Sequence, residues 1–194
     1  LDCPAVRLET APKPIRKFLQ KVHEKNTRQQ MLSKWTMDGF CRFDFQHEKL
    51  ETVDDDLLLA IKSAVDSYHQ TRNPVIETVP QVLDVARRTQ AGTGSLGNRR
   101  YYVLMEGRSP DENVILDIKQ QREPASVAVM PRQERYWYRE TFTHEGRRHA
   151  NAYRAIAEHP DSWLGWLSIH DQLYSVRERS PFKKDYPAQK LDAN

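Results

Sequence analysis

The chain of 194 residues carries 30 basic and 27 acidic side chains, and 38% of its residues are hydrophobic. That length is enough for one domain with a real core, or for one domain with an extension. Since 29% of the residues are charged and the net charge is only +3, the composition excludes both a disordered chain and a strongly basic nucleic-acid-binding protein. RNA or DNA binding through arginine pairs and aromatic residues is therefore the weakest function considered.

The two cysteines, Cys3 and Cys41, are too few for a disulfide scaffold and have no CxxC spacing, which predicts a cytoplasmic location. No apolar run approaches the roughly 20 residues of a membrane span, and no signal peptide opens the sequence, so we expect no membrane partner. The sequence begins without methionine, and we expect it to be a piece of a longer protein or a processed form.

Residues 1–80 predict a helical N-terminal segment. Pro14 suits the first turn of a helix, and apolar residues follow at helical spacing: Ile15, Phe18, Leu19 and Val22. A second helix is predicted over residues 27–37, with three buried side chains: Met31, Leu32 and Trp35. Residues 40–45 alternate between apolar and polar side chains, which predicts a short strand.

Asp54, Asp55 and Asp56 precede the clearest helix of the chain. Its apolar stripe covers three turns and consists of Leu57, Leu58, Ile61, Ala64, Val65 and Tyr68. Three adjacent carboxylates are compatible with Mg²⁺ binding, but a helix N-cap followed by acids at the positive end of the helix dipole explains them better. We therefore assign no metal site here.

Residues 81–194 predict a small antiparallel sheet. Three runs, over residues 82–88, 101–105 and 114–118, are rich in β-branched, aromatic and aliphatic side chains and are bounded by turn formers. The third run leads directly into Lys119. The three runs are therefore predicted to be neighbouring strands, the last of which carries a lysine.

Between the first two strands lies the segment Gly92-Thr93-Gly94-Ser95-Leu96-Gly97. A dinucleotide-binding glycine loop would lead into a helix, but no helical periodicity follows this one. A Walker loop is excluded because Asn98-Arg99 stands where Lys-Ser/Thr is required. The segment is therefore predicted to join two antiparallel strands.

A strand, a G-x-G-x-x-G segment, a second strand and a strand with a lysine form the layout of a protein-kinase-like nucleotide lobe. Glycines let backbone N–H groups approach a polyphosphate closely, and a lysine on a neighbouring strand adds a compact positive charge. The candidate nucleotide-binding residues are Gly92, Gly94, Ser95, Gly97 and Lys119, with ATP as the ligand. The alternative is a flexible hairpin turn without a ligand.

After Lys119 the sequence predicts a helix from about residue 139 to residue 159, an apolar core segment over residues 163–167, and a final strand over residues 173–178.

In kinases a glutamate on the helix after the third strand braces the lysine, and the candidates here are Glu140 and Glu145. For each of them the alternative is an exposed acid in a first helical turn. Asp117 lies two residues from Lys119 on the same face of the predicted strand, so it is placed to pair with that lysine in competition with a phosphate.

The sequence contains, in order, Asp84-Val85-Ala86-Arg87-Arg88, the glycine segment, Arg100-Tyr101-Tyr102-Val103-Leu104-Met105-Glu106-Gly107, Leu116-Asp117-Ile118-Lys119, Asp161-Ser162-Trp163-Leu164-Gly165-Trp166 and Tyr174-Ser175-Val176-Arg177-Glu178. These motifs resemble the bacterial "domain of unknown function 2252" family, densely from residue 82 to residue 180. The resemblance implies a protein-kinase-like fold. The predicted class is α+β, a small antiparallel sheet with a glycine-rich hairpin resembling a protein-kinase N-lobe, after an N-terminal helical segment.

The resemblance also implies that part of the protein lies outside this sequence. Members of the family carry a Gly-Asp-x-His-x-x-Asn motif and an aspartate-rich motif before the glycine segment, which resemble the catalytic and metal-binding parts of small-molecule kinases. Neither is found in this sequence. We therefore expect residues 1–80 and 81–194 to form one compact unit that binds ATP and works with a missing catalytic half, which would supply the Mg²⁺ ligands.

Two residues depart from the kinase pattern. Arg99 stands where kinases prefer a valine, and Asp117 stands where they have an alanine beneath the adenine. These residues favour an alternative to the nucleotide-binding lobe of a phosphotransferase, namely a non-catalytic kinase-like binding module.

Overall fold

The computed structural model describes residues 7–75, 80–90, 97–182 and 184–187. Within these ranges the chain forms five α-helices: α1 (Lys13–Lys25), α2 (Arg28–Leu32), α3 (Asp55–Tyr68), α4 (Arg132–Thr141) and α5 (Glu145–Ile156). The same ranges hold eight strands: β1 (Thr36–Met37), β2 (Arg42–Phe43), β3 (Leu50–Glu51), β4 (Val82–Arg88), β5 (Arg100–Met105), β6 (Val114–Gln120), β7 (Gly165–Ile169) and β8 (Gln172–Glu178). The predicted α+β class with an antiparallel sheet is confirmed.

Six strands form one sheet in the order β3-β4-β5-β6-β8-β7, and every neighbouring pair is antiparallel. β1 and β2 pair separately. The strands β4, β5, β6 and β8 lie where the sequence predicts strands, and β2 lies within the extended segment predicted over residues 40–45. Because β4 pairs with β5, the chain reverses direction between Arg88 and Arg100. The predicted glycine-rich hairpin lies largely in residues 91–96, which are outside the described residues.

Each face of the sheet carries a hydrophobic core, because successive side chains of a strand point to opposite faces. On one face α3 packs against the strands through Ile61, Val65 and Tyr68, which meet Tyr101, Val103, Leu116, Ile118 and Val176. On the other face the segment around α2 contributes Met31, Leu32 and Trp35, which meet Ala86, Tyr102, Leu104 and Ile115. Burying each large apolar side chain contributes about 1.5–3 kcal/mol. Residues from before and after position 80 thus share both cores.

The three adjacent aspartates begin α3. The Asp54 carboxylate accepts a hydrogen bond from the Leu57 backbone N–H at 2.9 Å, and Asp55 and Asp56 occupy the first turn. This is the N-cap arrangement that the sequence predicts. It fixes the start of α3, and so the position at which its apolar stripe meets the sheet.

The predicted helix over residues 27–37 is shorter in the structure and ends at Leu32. Thr27 and Gln30 form a reciprocal capping box at its start. The chain then leaves the helix because Thr36–Met37 pairs with Arg42–Phe43, a tertiary contact that local periodicity does not reveal. The N-terminal segment is therefore not purely helical, and its strand β3 joins the six-stranded sheet.

The single helix predicted from about residue 139 to residue 159 is also wrong in extent. Two helices, α4 and α5, cover residues 132–156 and are separated at residues 142–144. His144 starts the second helix, because its Nδ1 accepts the Arg147 backbone N–H at 3.1 Å. The predicted core segment 163–167 contributes buried Leu164 and Leu167, and most of it belongs to β7.

His69, directly after α3, is only 2% exposed. Arg72 Nη1 lies 3.4 Å from His69 Nδ1, and since arginine only donates, Nδ1 is the acceptor and Nε2 carries the proton. Burial, helped by the charge of Arg72, lowers the pKa of His69 from 6.5 to about 4. As the pH falls, the unfolded chain therefore takes up a proton at this ring before the folded chain does.

We expect His69 to make the fold acid-sensitive. Its contribution to the unfolding free energy is fully present above its ordinary pKa and should fall by about 2 kcal/mol between pH 7.5 and pH 5. Chemical denaturation at each pH measures the loss, and His69→Phe, which cannot titrate, should flatten that part of the profile. An unchanged pH dependence in the variant would contradict the assignment.

Candidate functional site

Lys119 lies at the end of the sheet where β5 begins, directly after the glycine segment. Lys119 on β6 stands opposite Arg100 on β5, and Arg100 is three residues after Gly97. Arg122 Nη2 also donates to the Gly97 carbonyl at 2.8 Å. Of the predicted glycine-segment residues, only Gly97 is described, while Gly92, Gly94 and Ser95 lie outside the described residues.

The face of the sheet that carries Lys119 is strongly cationic. Strand alternation and register place Lys119 beside Asp117, Arg100 and Tyr102, with Arg88 on β4 and Arg177 on β8. Arg179 follows directly after β8. From the sequence, only Lys119 and Asp117 can be assigned to this face. The arginines can be assigned to it only when the strand order and register are known.

A cavity of about 840 Å³ lies between this face and the chain that follows β8. Five of its lining side chains are basic, three are acidic, three are aromatic and one is a serine: Arg88, Arg100, Arg177, Arg179 and Lys184; Asp117, Glu178 and Asp185; Tyr102, Tyr153 and Phe182; and Ser180. A cavity of this size and character suits a small ligand with negative charge.

Asp117 is the buried acid at the floor of the cavity, with 4% of its side chain exposed. Arg100 donates to it through Nε at 2.6 Å and Nη2 at 2.5 Å, and Arg177 Nε lies 3.7 Å away. The hydrogen bond to Asp117 raises the pKa of Arg100. The carboxylate predicted as a competitor for Lys119 thus forms ion pairs with two arginines of neighbouring strands.

The Tyr102 ring lies at the centre of three guanidinium groups. The Cζ atoms of Arg88, Arg100 and Arg179 are each 5.8 Å from its centroid. Trp35 packs edge-on against Tyr102 at 5.3 Å, and its own ring faces Arg88 at 5.2 Å and Arg179 at 4.7 Å. Aromatic faces stabilise cations at such distances. Two aromatic side chains thus hold three arginines close together.

Two of these arginines have no carboxylate partner in the described part of the chain. Arg88 donates to the Tyr102 hydroxyl at 3.3 Å and to the carbonyls of Lys49 and Thr89, all of them uncharged acceptors. Arg179 Nε is buried without a hydrogen-bond partner among the same residues. Within the described residues, the groups that contact these two guanidinium groups are therefore aromatic rings and uncharged oxygens.

A family described as an uncharacterized protein conserved in bacteria (DUF2252) matches residues 3–194. The chain belongs to the DUF2252 family. No curated protein and no solved structure matches it. Because the description of the family names no activity, the function of the DUF2252 chain has to be argued from its own side chains.

In this DUF2252 chain, helix α5 packs against β8, the strand on which Ser175 stands opposite Lys119. His149 is half-buried, and its Nδ1 is buried without a partner among the described residues. Its pKa is lowered by burial first, and then by the charges of Arg177, Arg148 and Lys119. The sequence does not reveal these charged neighbours, because Arg177 and Lys119 belong to strands rather than to the helix that carries His149.

The two predicted partners of Lys119 have different surroundings in the DUF2252 chain. Glu145, one turn before His149 on α5, is buried and accepts hydrogen bonds from the Tyr138 hydroxyl at 2.8 Å and from Arg148 Nε at 2.6 Å. Glu140 is exposed on α4. Their pairing with Lys119 stays a prediction.

The described residues of the DUF2252 chain do not provide a metal centre, since they contain no group of three His, Cys, Asp or Glu side chains that could hold an ion. The Mg²⁺ predicted with ATP therefore has no ligand set in these ranges. In the same ranges, no helix combines the length and the apolar character that crossing a bilayer requires.

Proposed function

We propose that this chain is the nucleotide-binding lobe of a kinase-like phosphotransferase, with ATP phosphates bound between residues 92–97 and Lys119. The observation that carries the proposal is the register that sets Lys119 opposite Arg100, directly after the reversal of the chain. Arg88 and Arg100 flank the glycine segment on the same face. Lys119 thus completes a cationic row at the end of the sheet that would receive the phosphates.

The order of the elements supports the same proposal. In protein kinases a glycine-rich loop covers the phosphates, the lysine is on the third strand, and the following helix carries its partner. Here β4 and β5 flank the glycine segment, β6 carries Lys119, and α4 and α5 follow. α5 packs against β8, the strand that pairs with β6, which adds to this likeness.

The residues of the lobe would bind and orient the phosphates without transferring them. Backbone N–H groups of the glycine segment would donate to phosphate oxygens, and Lys119 would neutralise their charge. Phosphoryl transfer also needs a metal held by carboxylates and a positioned acceptor, which the resemblance assigns to a catalytic half outside this sequence. We therefore propose that the chain alone is inactive, and that it works in the cytoplasm.

A second candidate function is a non-catalytic binding module of the same fold. The observation in its favour is the two-bond ion pair of Arg100 with Asp117. Asp117 stands where the kinase pattern has an alanine beneath the adenine base. If this pair has replaced the nucleotide, Asp117→Ala should create or strengthen ATP binding. If the wild-type chain already binds ATP and Asp117→Ala does not strengthen it, the lobe of a phosphotransferase is favoured.

Calorimetric titration of the full-length protein with ATP tests the proposal. We expect Lys119→Ala and Gly94→Val each to weaken ATP binding at least about tenfold. Lys119→Ala removes a positive charge at the phosphates, and Gly94→Val adds a side chain where the phosphates would approach the backbone. Lys34→Ala, which removes an exposed lysine from the N-terminal segment, is the control and should bind as the wild type does. Unchanged affinity in both site variants would reject the proposal.

A further inference from the structure

We propose that the cavity contains a separate oxyanion site, in which Arg88 and Arg179 bind a phosphate or pyrophosphate group above Tyr102 and Trp35. The centre of the site, Tyr102, stands opposite Asp117. Asp117 precedes Lys119 by two residues on β6, so the site lies one cross-strand pair of the same face away from Lys119. It needs neither the glycine segment nor Lys119. The inference therefore goes beyond the proposed nucleotide site, with which it shares Arg88.

The first argument is uncompensated charge. Arg88 and Arg179 both lie within 6 Å of the Tyr102 and Trp35 ring centroids, so the two guanidinium groups are near each other. Neither forms an ion pair with a carboxylate of the described residues. Asp117 offers little relief, because Arg100 and Arg177 already bind it. An anion placed between Arg88 and Arg179 would neutralise both charges at once.

The second argument is the presence of unused donors. Arg179 Nε is buried without an acceptor in the described ranges, and so is the indole Nε1 of Trp35, whose side chain is 6% exposed. Native proteins rarely leave buried donors unpaired. Both donors belong to the same cluster, because the Arg179 guanidinium stacks on the Trp35 ring. Of these two residues Arg179 lines the cavity, so an oxyanion bound there would accept from its guanidinium group.

The third argument concerns the chemical class of that ligand. Guanidinium groups only donate hydrogen bonds, so Arg88 and Arg179 offer donors and no acceptors of their own. A neutral purine, which needs both, is a poor match. A tetrahedral oxyanion accepts from every direction, and arginine binds phosphate through two parallel N–H bonds. The cluster therefore selects phosphate-type groups over uncharged rings.

Calorimetric titration of the full-length protein with inorganic pyrophosphate, and with adenosine as the uncharged comparison, tests the site. We expect pyrophosphate to bind while adenosine does not, and Arg88→Gln and Arg179→Gln each to weaken pyrophosphate binding at least about tenfold. Lys119→Ala should change the affinity less than about twofold. Arg139→Gln, which removes the same charge from an exposed pair with Glu123, is the matched control and should bind as the wild type does.

Each other outcome has a defined meaning. Arginine variants that bind as tightly as the wild type, or a control variant that weakens binding equally, would overturn the site. Loss of binding in Lys119→Ala alone would assign pyrophosphate to the proposed nucleotide site and overturn the separate one. Intact pyrophosphate binding together with failed ATP binding would leave this site standing and remove the proposed function. If the glutamine variants do not fold, Arg88→Lys and Arg179→Lys keep the charge, lose the paired donors, and should still bind at least about threefold more weakly.

Discussion

Replacing Asp117 with asparagine should lower the unfolding free energy by about 3–5 kcal/mol, because it leaves a buried guanidinium without its counter-ion. The Asp117 carboxylate receives two hydrogen bonds from Arg100, whose side chain is only 14% exposed. Asparagine keeps the size of the side chain and one carbonyl oxygen, so the measured loss reports the charge together with one of the two hydrogen bonds. Urea denaturation, with the midpoint and the slope fitted separately, measures it.

The exposed pair of Arg139 with Glu123 is the matched control for this experiment. It has the same two-bond geometry, at 2.8 and 3.0 Å, but lies at the surface. Glu123→Gln should therefore change the unfolding free energy little, since solvent screens exposed ion pairs. A double variant, Asp117→Leu with Arg100→Met, should recover much of the lost stability. If Asp117→Asn is as mild as Glu123→Gln, the burial of the pair does not have the importance assigned to it.

The strands could be predicted from the sequence because their signals are local. β4, β5, β6 and β8 are runs of β-branched, aromatic and aliphatic residues between turn formers, and each run can be recognised without knowledge of its pairing. The start of α3 was equally local, since Asp54 caps a helix whose apolar stripe repeats every turn. The extent of α2 was not, because its end depends on the pairing of β1 with β2.

Some residues of the candidate site can likewise be predicted from local sequence, and others only from the strand pairing. Lys119 and Asp117 share a face by simple alternation within one strand, which the sequence reveals. Arg177 reaches the same face only because β8 pairs with β6, although almost sixty residues separate these positions in sequence. The bond of Arg100 with Asp117 likewise depends on the register of β5 with β6. A charge cluster built from four segments is visible only after strand order and register are known.

The position of α5 against β8 depends on the absence of a side chain at Gly146. A Cβ atom built on Gly146 would lie 2.1 Å from the Tyr174 carbonyl oxygen and 2.5 Å from its carbonyl carbon, both backbone atoms of β8. Backbone in a central sheet strand cannot yield as a flexible side chain can. Gly146→Ala should therefore push α5 off the sheet and lower the unfolding free energy by at least about 3 kcal/mol.

The sign of the change in unfolding free energy caused by Gly146→Ala distinguishes the effect of packing from that of helix propensity. Alanine favours a helix over glycine by about 1 kcal/mol, so propensity alone predicts that Gly146→Ala stabilises the protein. Ala152→Gly, at an exposed position of the same helix, calibrates that term and should cost about 1 kcal/mol. Because α5 also carries His149 and Tyr153 to the cationic face, displacement of the helix should relieve the low pKa of His149, which NMR titration of the ring can follow. A stabilised Gly146→Ala variant with an unchanged His149 titration would show that α5 does not lie against β8 as described.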